Sequence, residues 1–539
     1  MGAGIAQLAA QAGARTLLHD PVPEALERGL ERARAGLEKA ASRGAIAPEE
    51  AAAARDRLEA AGALEGLAAC ELVIEAAPES RELKARLFGE LSAVVSEDCV
   101  LATNTSSLPV TGVAAAATHP ERVVGMHFFN PAPVMRLVEV IAGERSGEAA
   151  VAIARAAGEA MGKRVILAAD GPGFLVNRCG RPFGMEALRL VQERLATHEQ
   201  VDRVCRMAAG FRMGPFELMD LVGVDTGYDV QRSFWELSFG EPRWRPSPIS
   251  ARMAAAGRHG RKTGRGYYEY PPGRPADPDP PEPGGGDGLV VVAGDLPVAA
   301  QLRAAAAAAG WAVAEGVDPE GDVPWLIVDC APAEDAWSRE AGADGALTGE
   351  PGGPDGNAGE GDGAGRGGPL QGGPRAVLCA DGSLTALDPA GTAVGFHALP
   401  PLDSARLVEL TRTAATSELA AERAERLFAT LGKHPEWVAD APGLVLGRIV
   451  CQLVNEAAFA LREGVGSAED VDAGMLLGLN HPHGPLHWAD TIGLDHVLAV
   501  LDALWEETRE ERYRACPDLR ARVWEGRLGV QTGAGFFEH

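Results

Sequence analysis

The stretch Gly125–Ile141, GMHFFNPAPVMRLVEVI, with Asp170–Arg178, DGPGFLVNR, decides how the rest of the chain is read. His127 closes an apolar run, Val123-Val124-Gly125-Met126, that reads as a buried strand. Glu139 follows inside a second apolar run, Leu137-Val138-Glu139-Val140-Ile141. A charge in the middle of such a run is costly to bury without a partner. A histidine is the fitting partner, because a carboxylate orients an imidazole and stabilises its protonated form. We therefore expect His127 and Glu139 to form the dyad that a general base needs. Each residue alone has a plainer reading: a histidine among apolar residues is usually a satisfied core residue, and a glutamate in a strand usually marks an edge. Asn130-Pro131, Asn177 and a recurrence of the pattern later in the chain favour the dyad.

Upstream, strand signals at Leu72–Ile74, Val100–Thr103 and Val123-Val124, with a helix over 81–95 between the first two, predict a mostly parallel, doubly wound α/β sheet. Gly2 and Gly4 open a small-residue helix over 3–12, Gly13 ends it, and a short strand over 15–19 leads to Asp20. In a Rossmann unit the helix N-terminus, here at Gly2, faces a pyrophosphate, and the acid after the next strand binds the ribose hydroxyls. An acid there disfavours a 2′-phosphate, so NAD is expected over NADP. The first strand and first glycines of the fingerprint are expected ahead of Gly2, which points to a start about ten residues upstream or to impaired cofactor binding. Residues 24–39 and 48–63 read as a helical hairpin. Lys39, Ser42 and Arg43 form the most basic spot near the presumed cleft, with a solvated helix face as the plainer reading.

Asn104-Thr105-Ser106-Ser107-Leu108 follow the strand Val100–Thr103, where open α/β sheets bind ligands. The plainer role for Ser106 is a helix N-cap, for which Ser107 competes. From Gly171 to Tyr270 the pattern turns helical, with a helix expected to begin at Phe174 and Asn177 one turn into it. The expected layout is a Rossmann-like domain over 1–170 with its first strand missing, an all-α domain over 171–270, and a Pro/Gly linker over 271–288. A degenerate α/β segment over 289–437 carries a low-complexity insert at 339–374, and a second all-α domain covers 438–539.

The second half repeats the first. His397, Glu409, Asp440-Ala441-Pro442-Gly443, Arg448 and Gly484-Pro485 answer His127, Glu139, Asp170-Gly171-Pro172-Gly173, Arg178 and Gly214-Pro215, all offset by 270 residues. So constant a register signals tandem duplication. The second copy has drifted: Asn177 becomes Gly447, and NTSSL has no clear counterpart.

Composition excludes several classes. The 539 residues carry a net charge of −26, which argues against nucleic acid as a partner. The eight cysteines form no CxxC pair, so neither a disulfide framework nor a metal site is expected. No apolar run is long enough to span a membrane and no secretory signal opens the chain, so a cytoplasmic protein is expected.

NTSSL, GMHFFNP, LVEV, DGPGFLVNR, GPFEL and KTGRGYY occur in the order and approximate spacing of the 3-hydroxyacyl-CoA dehydrogenase family, which this chain resembles over 1–270 and more weakly over 376–539. The two-copy layout resembles long bacterial members, some of which act on 3-hydroxyadipyl-CoA in phenylacetate breakdown. The resemblance implies NAD-dependent oxidation of an acyl-CoA thioester, with His127 as catalytic base and Glu139 as its partner. It implies that Ser106 and Asn177 hold the substrate oxygen and that Asp20 binds the adenosine ribose. Glu79 and Lys84 would line the NAD site, Asn104 would touch the cofactor, and Arg43 would contact CoA. A homo-oligomer stays open. So do a dehydrogenase of a free sugar acid or hydroxy acid, and a catalytically impaired binding protein.

Overall fold

The computed structural model describes residues 1–318, 320–331, 373–389 and 391–539. Apart from its last two positions, the predicted insert 339–374 lies outside the described residues. The chain forms two compact units: Met1–Pro182 with Asp225–Ala254 and Asn455–His487, and Phe183–Val224 with Ala255–Val454 and Trp488–His539.

In the first unit, helix α1 (Gly2–Gln11) leads to strand β1 (Thr16–His19). Helix α2 (Pro23–Ser42) buries Leu26, Leu30, Ala33 and Leu37, one stripe at helical spacing, against Ala6 and Ala10 of α1. Helix α3 (Pro48–Asp56) ends earlier than expected. Leu58–Ala61 is a strand, β2, parallel to β1. The alanine-rich sequence favours helix, but Leu58 and Ala61 are buried here and β1 offers a ladder of hydrogen-bond partners, which overrides propensity.

The main sheet follows as β3 (Leu72–Glu75), α4 (Arg81–Val94), β4 (Val100–Thr103), α5 (Val110–Ala114), β5 (Val123–Phe128), β6 (Leu137–Ala142), α6 (Glu148–Ala160) and β7 (Arg164–Ala169). Its order is β3-β4-β5-β6-β7, parallel except for the antiparallel pair β5–β6. No hydrogen bond joins β1 to β3, so the sheet of this unit is in two pieces. Helix α6 and strand β7 were not anticipated from the sequence.

Helix α7 (Val176–Gln192), α8 (His198–Ala209), α9 (Pro215–Val222), α10 (Val224–Leu237) and α11 (Pro248–Ala255) make up the first helical segment. The second unit carries a seven-stranded sheet, β8 (Leu289–Ala293), β9 (Ala312–Ala314), β10 (Leu326–Asp329), β11 (Arg375–Leu378), β12 (Val394–His397), β13 (Leu407–Thr411) and β14 (His434–Trp437). Its order is β14-β13-β12-β11-β10-β8-β9. Here β8 lies between β9 and β10 and joins them into one sheet.

The compact units do not follow the sequence blocks, because each sheet is packed by helices from the other copy. In the first unit the Ala169 N–H donates to Val465 O (2.9 Å), and Asp470 accepts from Arg164 (3.2 Å) and from the Leu167 N–H (3.3 Å). Arg178 is buried against Glu456 at 2.7 Å and reaches Glu463 at 2.8 Å. The second unit repeats these contacts with the copies reversed: Ala439 N–H donates to Leu195 O (2.9 Å), and Arg448 pairs with Glu186 (2.6 Å) and Glu193 (2.8 Å). Such reciprocal residue pairing is the signature of an isologous interface, here made within one chain. Among the described residues no helix is long and apolar enough to cross a membrane, no side-chain group could hold a metal ion, and all eight cysteines are free.

Candidate active site

The antiparallel register of β5 and β6 sets His127 directly opposite Glu139. Cross-strand neighbours on one face are close enough for their side chains to meet. His127 Nδ1 lies 2.6 Å from Glu139 Oε2, with the two side chains 5% and 0% exposed. The other carboxylate oxygen, Oε1, accepts the N–H groups of Leu175 (3.1 Å) and Val176 (3.0 Å). These amides open α7 and have no partners within the helix, so a buried carboxylate satisfies them. With Nδ1 donating to Glu139, the ring keeps its lone pair on Nε2. That atom makes no hydrogen bond among the described residues.

The helix does not begin at Phe174 as expected. Gly173 (φ 74°) and Phe174 (φ 51°) take left-handed conformations, and α7 starts at Val176. The turn swings the Phe174 ring to 5.9 Å from the His127 ring, while Phe129 stands at 4.7 Å on its own side. Asn177 is therefore the second residue of the helix rather than one turn in, directly after the amides that Glu139 holds.

The loop after β4 meets the same end of the sheet. Asn104 Oδ1 accepts the Phe128 N–H at 2.7 Å, splinting β4 to β5 beside His127. Ser106 is exposed; its N–H donates to Glu79 Oε1 (3.0 Å), and its hydroxyl makes no hydrogen bond among the described residues. Glu79 also accepts from Thr105 Oγ1 (2.6 Å) and from the N–H and hydroxyl of Ser107 (both 3.0 Å). Burial works against the Glu79 charge. The Thr105 hydroxyl, the nearby Lys84 ammonium and the loop donors nonetheless hold its carboxyl below the usual carboxylate range.

Lys84 is 1% exposed and turned inward: Nζ donates to both oxygens of Glu75 (2.8 and 2.9 Å) and lies 3.3 Å from Glu79. Glu75 accepts in addition from Thr103 Oγ1 (2.7 Å). The sequence reading passed over Glu75, although a charge closing the apolar run Leu72-Val73-Ile74 is the same signal that singled out Glu139.

Other candidates lie on separate elements. Gly2 is the first residue of α1, where a Cβ would stand 3.7 Å from the Ala76 side chain beyond β3. Asp20 follows β1, with Oδ1 accepting the Val22 N–H at 2.9 Å. Arg43 caps the C-terminal end of α2 in solvent, and its guanidinium has no partner among the described residues.

These residues fit a dinucleotide. The first amides of α1 have no partner within the helix. Gly4 passes so close to the 131–133 turn that a Cβ would come within 2.9 Å of the Pro133 ring. Asp20 keeps one carboxylate oxygen uncommitted.

The second unit shows what becomes of the same frame when its neighbours change. His397 is again opposite Glu409, and Glu409 again accepts two amides, Val445 (2.8 Å) and Leu446 (3.0 Å). Yet His397 and Glu409 make no hydrogen bond. The His397 ring has turned so that Nε2 lies 3.2 Å from Nε2 of His496. A Cβ on Gly447 would meet that ring at 2.5 Å, so the space that Asn177 commands in the first copy is filled by imidazole. Burial pushes Glu409 up to about 8 and pulls His496 down to about 4.

Comparison with known proteins gives the same picture. Residues 1–171 match the 3-hydroxyacyl-CoA dehydrogenase NAD binding domain, and residues 173–270 and 443–539 each match the corresponding C-terminal domain. The chain is 33% identical to an Escherichia coli 3-hydroxyadipyl-CoA dehydrogenase, over 97% of this chain and 95% of that protein. A Mycobacterium tuberculosis 3-hydroxybutyryl-CoA dehydrogenase is 40% identical, over 50% of this chain and 95% of that one. A crystal structure of a 3-hydroxybutyryl-CoA dehydrogenase from Escherichia coli superimposes with a TM-score of 0.76 at 31% identity, covering 97% of this chain and 96% of the other. With both domain types matched in order, the second of them twice, the chain belongs to the 3-hydroxyacyl-CoA dehydrogenase family.

Proposed function

We propose that the His127–Glu139 pair carries the chemistry by which this NAD-dependent enzyme oxidises (S)-3-hydroxyacyl-CoA to 3-ketoacyl-CoA. His127 takes the hydroxyl proton on Nε2 as the carbon–oxygen bond gains double-bond character. Glu139, on Nδ1, holds the tautomer that leaves Nε2 unprotonated and stabilises the imidazolium that forms. Ser106 and Asn177 donate hydrogen bonds to the substrate oxygen as its charge changes. NAD, when bound, supplies the hydride acceptor.

The amides at Gly2 would face its pyrophosphate and Asp20 its adenosine ribose. Glu79 and Asn104 would border the nicotinamide end, with Lys84 acting through Glu75 and Glu79. Arg43 would meet the CoA moiety. The acyl group is that of 3-hydroxyadipyl-CoA or 3-hydroxybutyryl-CoA, the two substrates in the relatives' names. A nucleotide cofactor, a CoA thioester and the lack of a membrane-crossing helix among the described residues suit a cytoplasmic enzyme.

The observation that carries this reading is the 2.6 Å bond from Nδ1 to Glu139 with Nε2 left unbonded. The test is NADH oxidation with acetoacetyl-CoA against free 3-keto acids. His127→Gln is expected to cut turnover with the thioester by about 10²–10⁴-fold with NAD affinity little changed. Turnover of the free acids alone, or a variant within a factor of about two of wild type, overturns the reading.

A further inference from the structure

On α7, Val176, Arg178 and Cys179 are buried, while Asn177, Gly180 and Arg181 are partly open. Asn177 and Arg181 are four residues apart and share one helix face. Arg181 is unlike the other arginines packed around this helix. Arg178 and Arg243 both meet Glu456, at 2.7 and 2.9 Å. Arg181 pairs with no carboxylate among the described residues, and its buried Nε has no hydrogen-bond partner.

Its guanidinium lies against the Phe234 ring, whose centroid is 4.8 Å from Cζ. Phe234 in turn stands over Gly173, where a Cβ would run into the ring, and Gly173 leads into Phe174 beside His127. Burial pulls the Arg181 guanidinium down to about 10, so it is still cationic at neutral pH.

The duplication supplies an internal control. The residue answering Arg181 is Cys451, fully buried, and the one answering Phe234 is Leu504. The cation thus occurs only in the copy that keeps the dyad and Asn177. A guanidinium largely buried, with its Nε unpartnered and no counterion, is costly, and a planar carboxylate is the group that satisfies it best.

We propose that Arg181 binds a carboxylate at the far end of the substrate's acyl chain, so that the favoured thioester is that of a dicarboxylic acid. This rests on the acyl-CoA reading of the His127 site. The rise from Asn177 to Arg181 is about 6 Å. Three bonds, about 4 Å, separate the hydroxyl carbon from the terminal carboxyl carbon of a six-carbon diacid, and a hydrogen bond spans the remainder.

The experiment compares kcat/KM for 3-ketoadipyl-CoA and 3-ketohexanoyl-CoA, which differ only in the terminal carboxylate, using the full chain. The wild type is expected to favour the diacid, and Arg181→Gln to lower the diacid-to-monoacid ratio about 10–100-fold. Arg181→Lys should fall between. In the wild type alone, adipyl-CoA should inhibit more tightly than hexanoyl-CoA, a comparison that needs no variant to fold.

A wild-type ratio near one overturns the proposal. So does an equal loss for both thioesters in Arg181→Gln, which would assign the cation to the CoA phosphates or to packing against Phe234. If neither thioester turns over in the wild type, the acyl-CoA reading itself has failed.

Discussion

Replacing Glu139 by glutamine keeps the shape of the site and changes one hydrogen-bond donor. Glu139 Oε1 receives two amides, at 3.1 and 3.0 Å, and Oε2 receives His127 at 2.6 Å. A glutamine has one carbonyl oxygen, and two backbone donors outweigh one ring donor in placing it at the Oε1 position. The amide NH₂ then faces Nδ1, which must accept, and the ring proton moves to Nε2. His127 loses the Nε2 lone pair that its proposed role as base requires.

Hydrolytic triads with the wrong histidine tautomer lose about 10⁴-fold in turnover, so a loss of about 10³–10⁴-fold is expected here, roughly 4–5.5 kcal/mol of barrier. Stability should fall by only about 1–3 kcal/mol, because the two amide hydrogen bonds survive and the third is remade in reverse between neutral groups. NADH oxidation with saturating acetoacetyl-CoA measures the first quantity, and urea unfolding of the same preparation checks the second. A Glu139→Gln enzyme that stays folded and turns over within about tenfold of wild type, a difference of about 1.4 kcal/mol, would falsify the tautomer argument.

Two further outcomes are expected. His496 is buried neutral, with its pKa drawn down to about 4, so its contribution is fully present above an unfolded value of about 6.5 and is lost as pH falls through 4. It amounts to about 3 kcal/mol; thermal melts from pH 7 to pH 4 should show a smaller acid loss for His496→Gln than for wild type, and parallel curves would contradict this. A fragment ending at residue 270 lacks Val465, Asp470 and Glu456, the partners of Ala169, Arg164 and Arg178. It should pair with a second copy through Leu195 and Glu186, as the second unit does, and sedimentation that shows an active monomer would rule this out.

Much of the site was readable one residue at a time. His127 and Glu139 each interrupt or close a run of strand-forming residues, and the energetic penalty for an unpaired charge in such a run makes a pair the economical reading. The repeat at 270 residues strengthened it, because His397 and Glu409 recur together at the spacing of His127 and Glu139. The Glu75–Lys84–Glu79 cluster was less legible. Lys84 lies on an amphipathic helix where a lysine ordinarily points to water, and only the packing of α4 on β3 turns it inward. The end of α3 was misread for a similar reason: Leu58–Ala61 has helix-forming composition, and its strand exists because β1 offers it a ladder.

Sequence alone determined the α/β fold with its helical segments, the duplication and the pairing of His127 with Glu139, since these follow from local periodicity and from charges placed against it. Tertiary structure alone decided which helices pack on which sheet. Arg178 and Arg448 stand in equivalent places, as do Glu186 and Glu456, so each arginine has two chemically identical partners in the sequence, and only the packed chain selects Glu456 for the first and Glu186 for the second. It decided likewise that His397, though kept opposite Glu409, turns to His496, because a glycine had vacated the space and a second imidazole stood within reach.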